Sequence, residues 1–230
     1  MKCEQRLSSG LVVKQDYGES VRAAFYQTEF EEFLYATEGG TIFITQFRGK
    51  VFGLTAKHIF ASFSPNQLFI TEEKQGKKGG KPAPITATMY PSSPTQAAEG
   101  SDIVDVCVIE FSPGMPTGFF RDTPYIVDEN TVATSKRGNR LEVSGVLKEK
   151  SKIDPPDIHM AYCRLDFTDD GPHRSDPTLR RAIAEFACPG FSTLTGISGS
   201  PVFNVSLNAL CGMVVRGGMT VRWTLLLGPQ

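Results

Sequence analysis

An all-β fold of two β-barrels or sandwiches, with one or two short helices, follows from three features of this 230-residue sequence. Short runs rich in β-branched and aromatic residues recur along the chain, and polar or Gly/Pro-rich breaks separate them. The pattern appears in both halves, divided near Pro113 to Asp122, so the expected units are residues 1–115 and 116–230. The length suits this division, because two domains of roughly 100 residues can each bury a core.

The expected strands are Thr41 to Thr45, Val51 to Thr55, Gln67 to Thr71, Val104 to Phe111, Leu141 to Leu147, Met160 to Phe167 and Ala209 to Val215. Glu73 to Pro82, with its glycine-laced lysines, and Ser112 to Pro116 are expected loops, the lysine run being a solvated hairpin tip. Two helices are expected. Tyr17 to Tyr35 spaces Val21, Ala24, Phe25, Phe30, Phe33 and Leu34 as an amphipathic segment with a break near Thr28. Ser175-Asp176-Pro177 offers an N-cap and an early proline before Leu179, Ile183 and Phe186.

Composition narrows the function. Forty per cent apolar residues, 21% charged residues and a formal charge of −1 exclude a disordered tail and an electrostatic nucleic-acid binder. The N-terminus, Met1 to Arg6, has no apolar core of a signal peptide, and no apolar run is long enough to span a bilayer. Cys3, Cys107, Cys163, Cys188 and Cys211 are odd in number, dispersed and without zinc-site spacing. The expectation is therefore a cytoplasmic protein with free thiols, no metal, no membrane partner and no nucleic-acid partner.

Chemistry enters at His58, which closes Leu54-Thr55-Ala56-Lys57-His58 at the end of an apolar strand. A histidine there can take a proton from a hydroxyl and return it to a leaving amine. Alone it is more often incidental; its companion is Gly196-Ile197-Ser198-Gly199-Ser200-Pro201. Glycines flanking a serine let the backbone turn sharply and aim N–H groups at a developing oxyanion, with Gly196 and Ser198 as donors. Such a string is also an ordinary turn, but Pro201-Val202-Phe203 returns at once to an apolar strand. A carboxylate should orient the imidazole. Asp105, heading Val106-Cys107-Val108-Ile109, is favoured over Asp102, which sits in the polar Glu99 to Asp102 turn.

The order His58, Asp105, Ser198, with Thr55-Ala56-Lys57-His58, Asp105-Val106-Cys107-Val108-Ile109 and Gly196 to Asn204, resembles the chymotrypsin-like (trypsin-like) peptidase family. The Gly-Ile-Ser-Gly-Ser-Pro-Val-Phe-Asn string is most similar to bacterial glutamyl endopeptidases. The resemblance covers about a quarter of the chain. It implies a chymotrypsin-like double barrel with six-stranded-type barrels, His58 and Asp105 on the first and Ser198 on the second. It also implies an acyl-enzyme mechanism without a cofactor, Ser198 as nucleophile and Ser200 as a small packing residue. By the same resemblance the strand Val214 to Gly218, with Val215, Arg216 and Gly217, lines one wall of the substrate pocket, and Ser192 to Thr195, with Thr193, form another. Arg216 could then pair with an acidic side chain, although an exposed strand-end arginine is the plainer reading.

The sequence also departs from that pattern. Ile197 stands where an aspartate would bind a freed N-terminus, so that activation switch is not expected. Ile59 follows His58 in place of the cysteine of many secreted relatives. Only 32 residues follow Ser198, which led to the expectation that the second barrel closes in a non-standard way, with help from the N-terminal segment. His159 and His173 lie in Pro/Asp-rich stretches and read as surface positions. Asp169 to Phe186 reads as an inserted helix packed on the second barrel, or as a lid or partner surface.

The expected function is a serine endopeptidase acting on polypeptides, with a regulatory protein as a further partner. The alternative is a catalytically silent fold used as a binding module. An α/β-hydrolase esterase is disfavoured, because its nucleophile precedes its acid and histidine in the chain.

Overall fold

The computed structural model describes residues 3–6, 12–15, 17–29, 35–37, 39–60, 64–71, 82–83, 85–90, 105–112, 120, 124–154, 157–174, 179–184, 194–216 and 220–225. Strands dominate them. β1 (Cys3–Arg6) and β2 (Val12–Gln15) form a separate antiparallel pair. After a 3-10 turn at Tyr17–Ser20 come β3 (Val21–Ala23), β4 (Phe25–Gln27), β5 (Tyr35–Ala36), β6 (Thr41–Phe47) and β7 (Lys50–Ala56). β8 (Leu68–Thr71), β9 (Pro82–Ala83), β10 (Ile85–Met89), β11 (Val106–Phe111) and β12 (Tyr125–Ile126) follow.

One sheet runs β10-β11-β7-β6-β12, with β3 also on β6, and a second runs β5-β4-β8-β9. They share one core: Ile42 and Ile44 of β6, Cys107 and Ile109 of β11, Tyr26 of β4 and Ile70 of β8 all meet there. The β6–β7 hairpin turns through Arg48 (φ 49°) and Gly49 (φ 79°), the two positive φ values that suit a tight turn to the twist of its strands.

The second barrel is built from β13 (Arg140–Asp154), β14 (Asp157–Pro172), β15 (Leu179–Ala184), β16 (Pro201–Asn204), β17 (Ala209–Arg216) and β18 (Thr220–Leu225). It closes in the order β13-β14-β15-β18-β17-β16. The non-standard closure expected from the short C-terminal stretch is therefore incorrect. Six strands from 140–225 complete the ring, since β17 and β18 return directly beside one another without help from the N-terminal segment. The chain is still in the first sheet at Tyr125–Ile126 and enters the second barrel at Arg140.

Both predicted helices are also corrected. Between Tyr17 and Gln27 the chain makes one 3-10 turn and two strands; Phe30, Phe33 and Leu34 lie outside the described residues or their described side chains. Ala23 and Phe25 face an inter-barrel seam, whereas Ala24 and Tyr26 face the first core. A segment buried on both faces is apolar at successive positions, which erases the two-residue alternation and passes for helical spacing. The second predicted helix is β15, a barrel wall between β14 and β18 and neither a packed helix nor a lid. Ile183, read as a core-facing helical position, is an exposed residue of that wall, and buried Arg180 pairs with buried Asp169 at 2.9 Å.

Two seams join the barrels. Phe43, Tyr125, Phe25 and Val21 pack with Val146, Phe203 and Leu210, and the Tyr17 ring stacks on Phe203 at 3.8 Å. On the other side Leu179, Met213 and Val215 meet Leu54 and Val106.

Candidate active site

His58 sits in a 3-10 turn, Lys57–Phe60, directly after β7. Ile59 and Phe60 are buried in the first core, and the Tyr26 hydroxyl donates to the Ile59 carbonyl. The turn is thus anchored by the residues that follow an imidazole whose side chain is 46% exposed. Asp105, immediately before β11, reaches it from the neighbouring strand, because β11 pairs with β7 through Val106 opposite Ala56. Its Oδ2 lies 2.6 Å from His58 Nδ1, and its Oδ1 accepts the His58 backbone N–H at 2.8 Å. Asp102 lies outside the described residues.

The 194–200 loop precedes β16 and is held from two directions. Ile197 is fully buried with Leu194, Val143 and Phe167 in the core of the second barrel. Successive carbonyls each accept one hydrogen bond: Thr195 from Lys148 N (2.9 Å), Gly196 from Thr41 Oγ1 (2.9 Å), Ile197 from Ser200 N (2.9 Å) and Ser198 from Thr41 N (2.8 Å). A trans peptide sets its N–H opposite its C=O. Holding the Thr195 and Ile197 carbonyls therefore fixes where the Gly196 and Ser198 N–H groups point. Neither of those N–H groups donates to a described residue.

The glycines have steric reasons. A Cβ at Gly196 (φ 104°) would lie 2.5 Å from the Val146 carbonyl oxygen, and one at Gly199 (φ 86°) 2.0 Å from the Thr41 oxygen. Gly199 also lies against Thr55, so the serine loop abuts the strand that leads to His58. Ser198 is half-buried; among the described residues no hydrogen bond joins its Oγ to His58, a contact that in hydrolases often tightens only with substrate bound. Ser200 is fully buried beneath the loop against Gly145.

Of the expected pocket residues, Val215 is fully buried with its side chain in the Leu54 and Val106 seam, and Arg216 is exposed at the end of β17. Ser192, Thr193, Gly217, the lysine run and the His159 side chain lie outside what the structure describes. Among the described residues no three metal-ligating side chains cluster. Cys107, Cys163 and Cys211 form no disulfide among the described residues. Burial pushes the Cys107 and Cys211 thiols up to about 12. No helix among the described residues is long and apolar enough to cross a membrane.

Thr41, whose backbone and hydroxyl hold the serine loop, and Lys148, whose amide does the same, are not singled out by the sequence alone. A threonine opening an apolar strand carries no signal of such a role. Its partners lie across the barrel interface, far along the chain.

Two β-barrels with the histidine turn on one and the serine loop on the other make this a chymotrypsin-like double-barrel fold. Solved structures of serine proteases and their relatives share it. The scabies mite inactivated protease paralogue S-I1 superposes with a TM-score of 0.60 at 18% identity, over 98% of this chain and 94% of that one. Human heparin binding protein gives 0.60 at 12% identity, over 92% and 87% of the two chains. The Vibrio cholerae VesB protease gives 0.54 at 16% identity, over 90% of this chain and 60% of that one. No protein-family profile and no curated protein matches the chain.

Proposed function

We propose that this protein is a serine endopeptidase that hydrolyses peptide bonds through an acyl-enzyme. Ser198 Oγ attacks the scissile carbonyl carbon while His58 Nε2 takes the hydroxyl proton, and the carbonyl oxygen becomes an oxyanion between the Gly196 and Ser198 N–H groups. The C–N bond then breaks, with His58 returning the proton to the leaving amine. Water repeats the sequence, losing a proton to His58 and releasing the acid and free Ser198. Asp105 keeps the Nδ1–H tautomer and stabilises the imidazolium. The observation that carries this reading is the double contact of Asp105 with His58, which leaves Nε2 as the free acceptor. It is supported by the Gly196 and Ser198 amides, which donate to no described residue.

The test is labelling of the wild-type protein, Ser198→Ala and Ser200→Ala with a fluorophosphonate. The reading expects label on the wild type and Ser200→Ala only; label retained by Ser198→Ala overturns it.

A binding module without catalysis is the second reading. It is favoured by the missing Ser198–His58 hydrogen bond and by the similarity to an inactivated paralogue. An unlabelled wild-type protein would select it.

By its nucleophile string the proposed peptidase resembles glutamyl endopeptidases, and Arg216 would favour an acidic side chain before the scissile bond. Arg216→Ala should then lose cleavage after Glu or Asp selectively. The buried, unbridged thiols of Cys107 and Cys211 favour a reducing, cytoplasmic setting; polypeptide substrates and a regulatory protein partner belong to the same proposal.

A further inference from the structure

We propose that Thr41 is a positioning residue through which the first barrel sets the oxyanion loop of the second, an inference that rests on the peptidase reading above. Thr41 opens β6 and is fully buried. Its hydroxyl accepts the Val146 N–H at 3.0 Å and donates to the Gly196 carbonyl at 2.9 Å. Its backbone N–H donates to the Ser198 carbonyl at 2.8 Å, and its own carbonyl is held by Thr55 Oγ1 at 2.8 Å. One residue of the first barrel thus holds two of the loop's carbonyls, and of the four loop carbonyls described above only Gly196 is held by a side chain.

That bond fixes the Gly196–Ile197 peptide, the one lying between the two peptides whose N–H groups would receive the oxyanion. Glycine at 196 has no Cβ to resist rotation of the adjoining peptides, and its φ of 104° is one of several it can adopt. The long Ile197 N–H contact to the Leu194 carbonyl, 3.4 Å, adds little restraint. Without the Thr41 hydroxyl the Gly196 carbonyl has no described donor, and the peptide linking the two oxyanion donors is held only through its neighbours, the Thr195 and Ile197 carbonyls on the Lys148 and Ser200 amides, so the relation between the Gly196 and Ser198 N–H groups loosens. The Ser198 backbone bond to Thr41 N–H and the contact of Asp105 with His58 both survive that loss. The effect falls on oxyanion stabilisation and not on the nucleophile's supply of a base.

Thr41→Val replaces the hydroxyl with a methyl of similar size, and Thr41→Ser restores it. Fluorophosphonate labelling resolved into its maximal rate and half-saturating concentration reads the difference. Thr41→Val should label about ten- to a hundred-fold more slowly at saturation, approaching the loss of one oxyanion donor. Its half-saturating concentration should stay within about two-fold, because ground-state binding does not use the oxyanion donors. Thr41→Ser should recover most of the rate. A folded Thr41→Val that labels at the wild-type rate overturns the proposal, as does a loss that Thr41→Ser does not rescue. If Thr41→Val does not fold, Thr41→Ala is read in the same way, and a chain that folds only with a hydroxyl at 41 makes the residue structural and overturns the proposal. A wild-type protein that takes no label instead refutes the peptidase reading itself.

Discussion

Asp105 holds His58 at two points with one carboxylate, the backbone N–H on Oδ1 at 2.8 Å and the ring Nδ1 at Oδ2 at 2.6 Å. The backbone bond sets the carboxylate plane, and the carboxylate sets the ring and its tautomer. Asp105→Asn keeps the shape but presents an amide that can favour the wrong tautomer. For a peptidase the expected outcome is a fall in kcat of about 10³- to 10⁴-fold with KM little changed. Asp102→Asn should leave both parameters near wild type; an equal loss there would move the role to Asp102.

Gly145 of β13 and Ser200, just before the neighbouring β16, share one space. A Cβ at Gly145 would meet Ser200 Oγ at 2.0 Å and Thr41 Oγ1 at 3.1 Å. Gly145→Ala should destabilise by about 1–3 kcal/mol through overpacking. Adding Ser200→Ala removes the nearer clash, so the double variant should be less destabilised than the sum of the two single variants. Denaturant unfolding of the four chains measures this, and strict additivity would refute it.

The Ile197 side chain anchors the serine loop by burial. Fully buried among Val143, Phe167 and Val202, it should cost about 2–5 kcal/mol when cut to alanine. Ile197→Asp should destabilise more, because its carboxylate would be buried in an apolar cluster. Thermal unfolding checks the order. An Ile197→Asp chain as stable as the wild type would mean that the loop does not depend on this anchor.

Cys107 and Cys211 should resist iodoacetamide at about pH 8 in the folded protein, since burial raises both thiols from 9.0 to about 12 and leaves no thiolate. Half-buried Cys163 should react first among the three. The folded state keeps these protons between pH 9.0 and about 12 while the unfolded chain releases them, so their effect is a loss of stability as pH rises through that window and none below it. Mass spectrometry after brief alkylation and thermal unfolding across that pH range provide the two measurements.

Local pattern alone located much of this protein. The expected strands at Thr41, Val51, Gln67, Leu141, Met160 and Ala209 fall on β6, β7, β8, β13, β14 and β17, because a strand buried on one or both faces writes its apolar residues into neighbouring positions. His58 after β7 and Asp105 before β11 were legible for the same reason, being polar groups at the ends of apolar runs. Where burial came from two sides at once, at Val21 to Tyr26, or where a barrel wall turned its apolar residues outward, at Ile183, periodicity misled and strands were read as helices. Only the tertiary structure decided that Asp105 meets His58, that 140–225 closes a barrel unaided, and that Thr41 holds Gly196 from 155 residues away. Those relations depend on strand register and on how two barrels pack, which are set by contacts between segments distant in the chain and leave no mark on either segment alone.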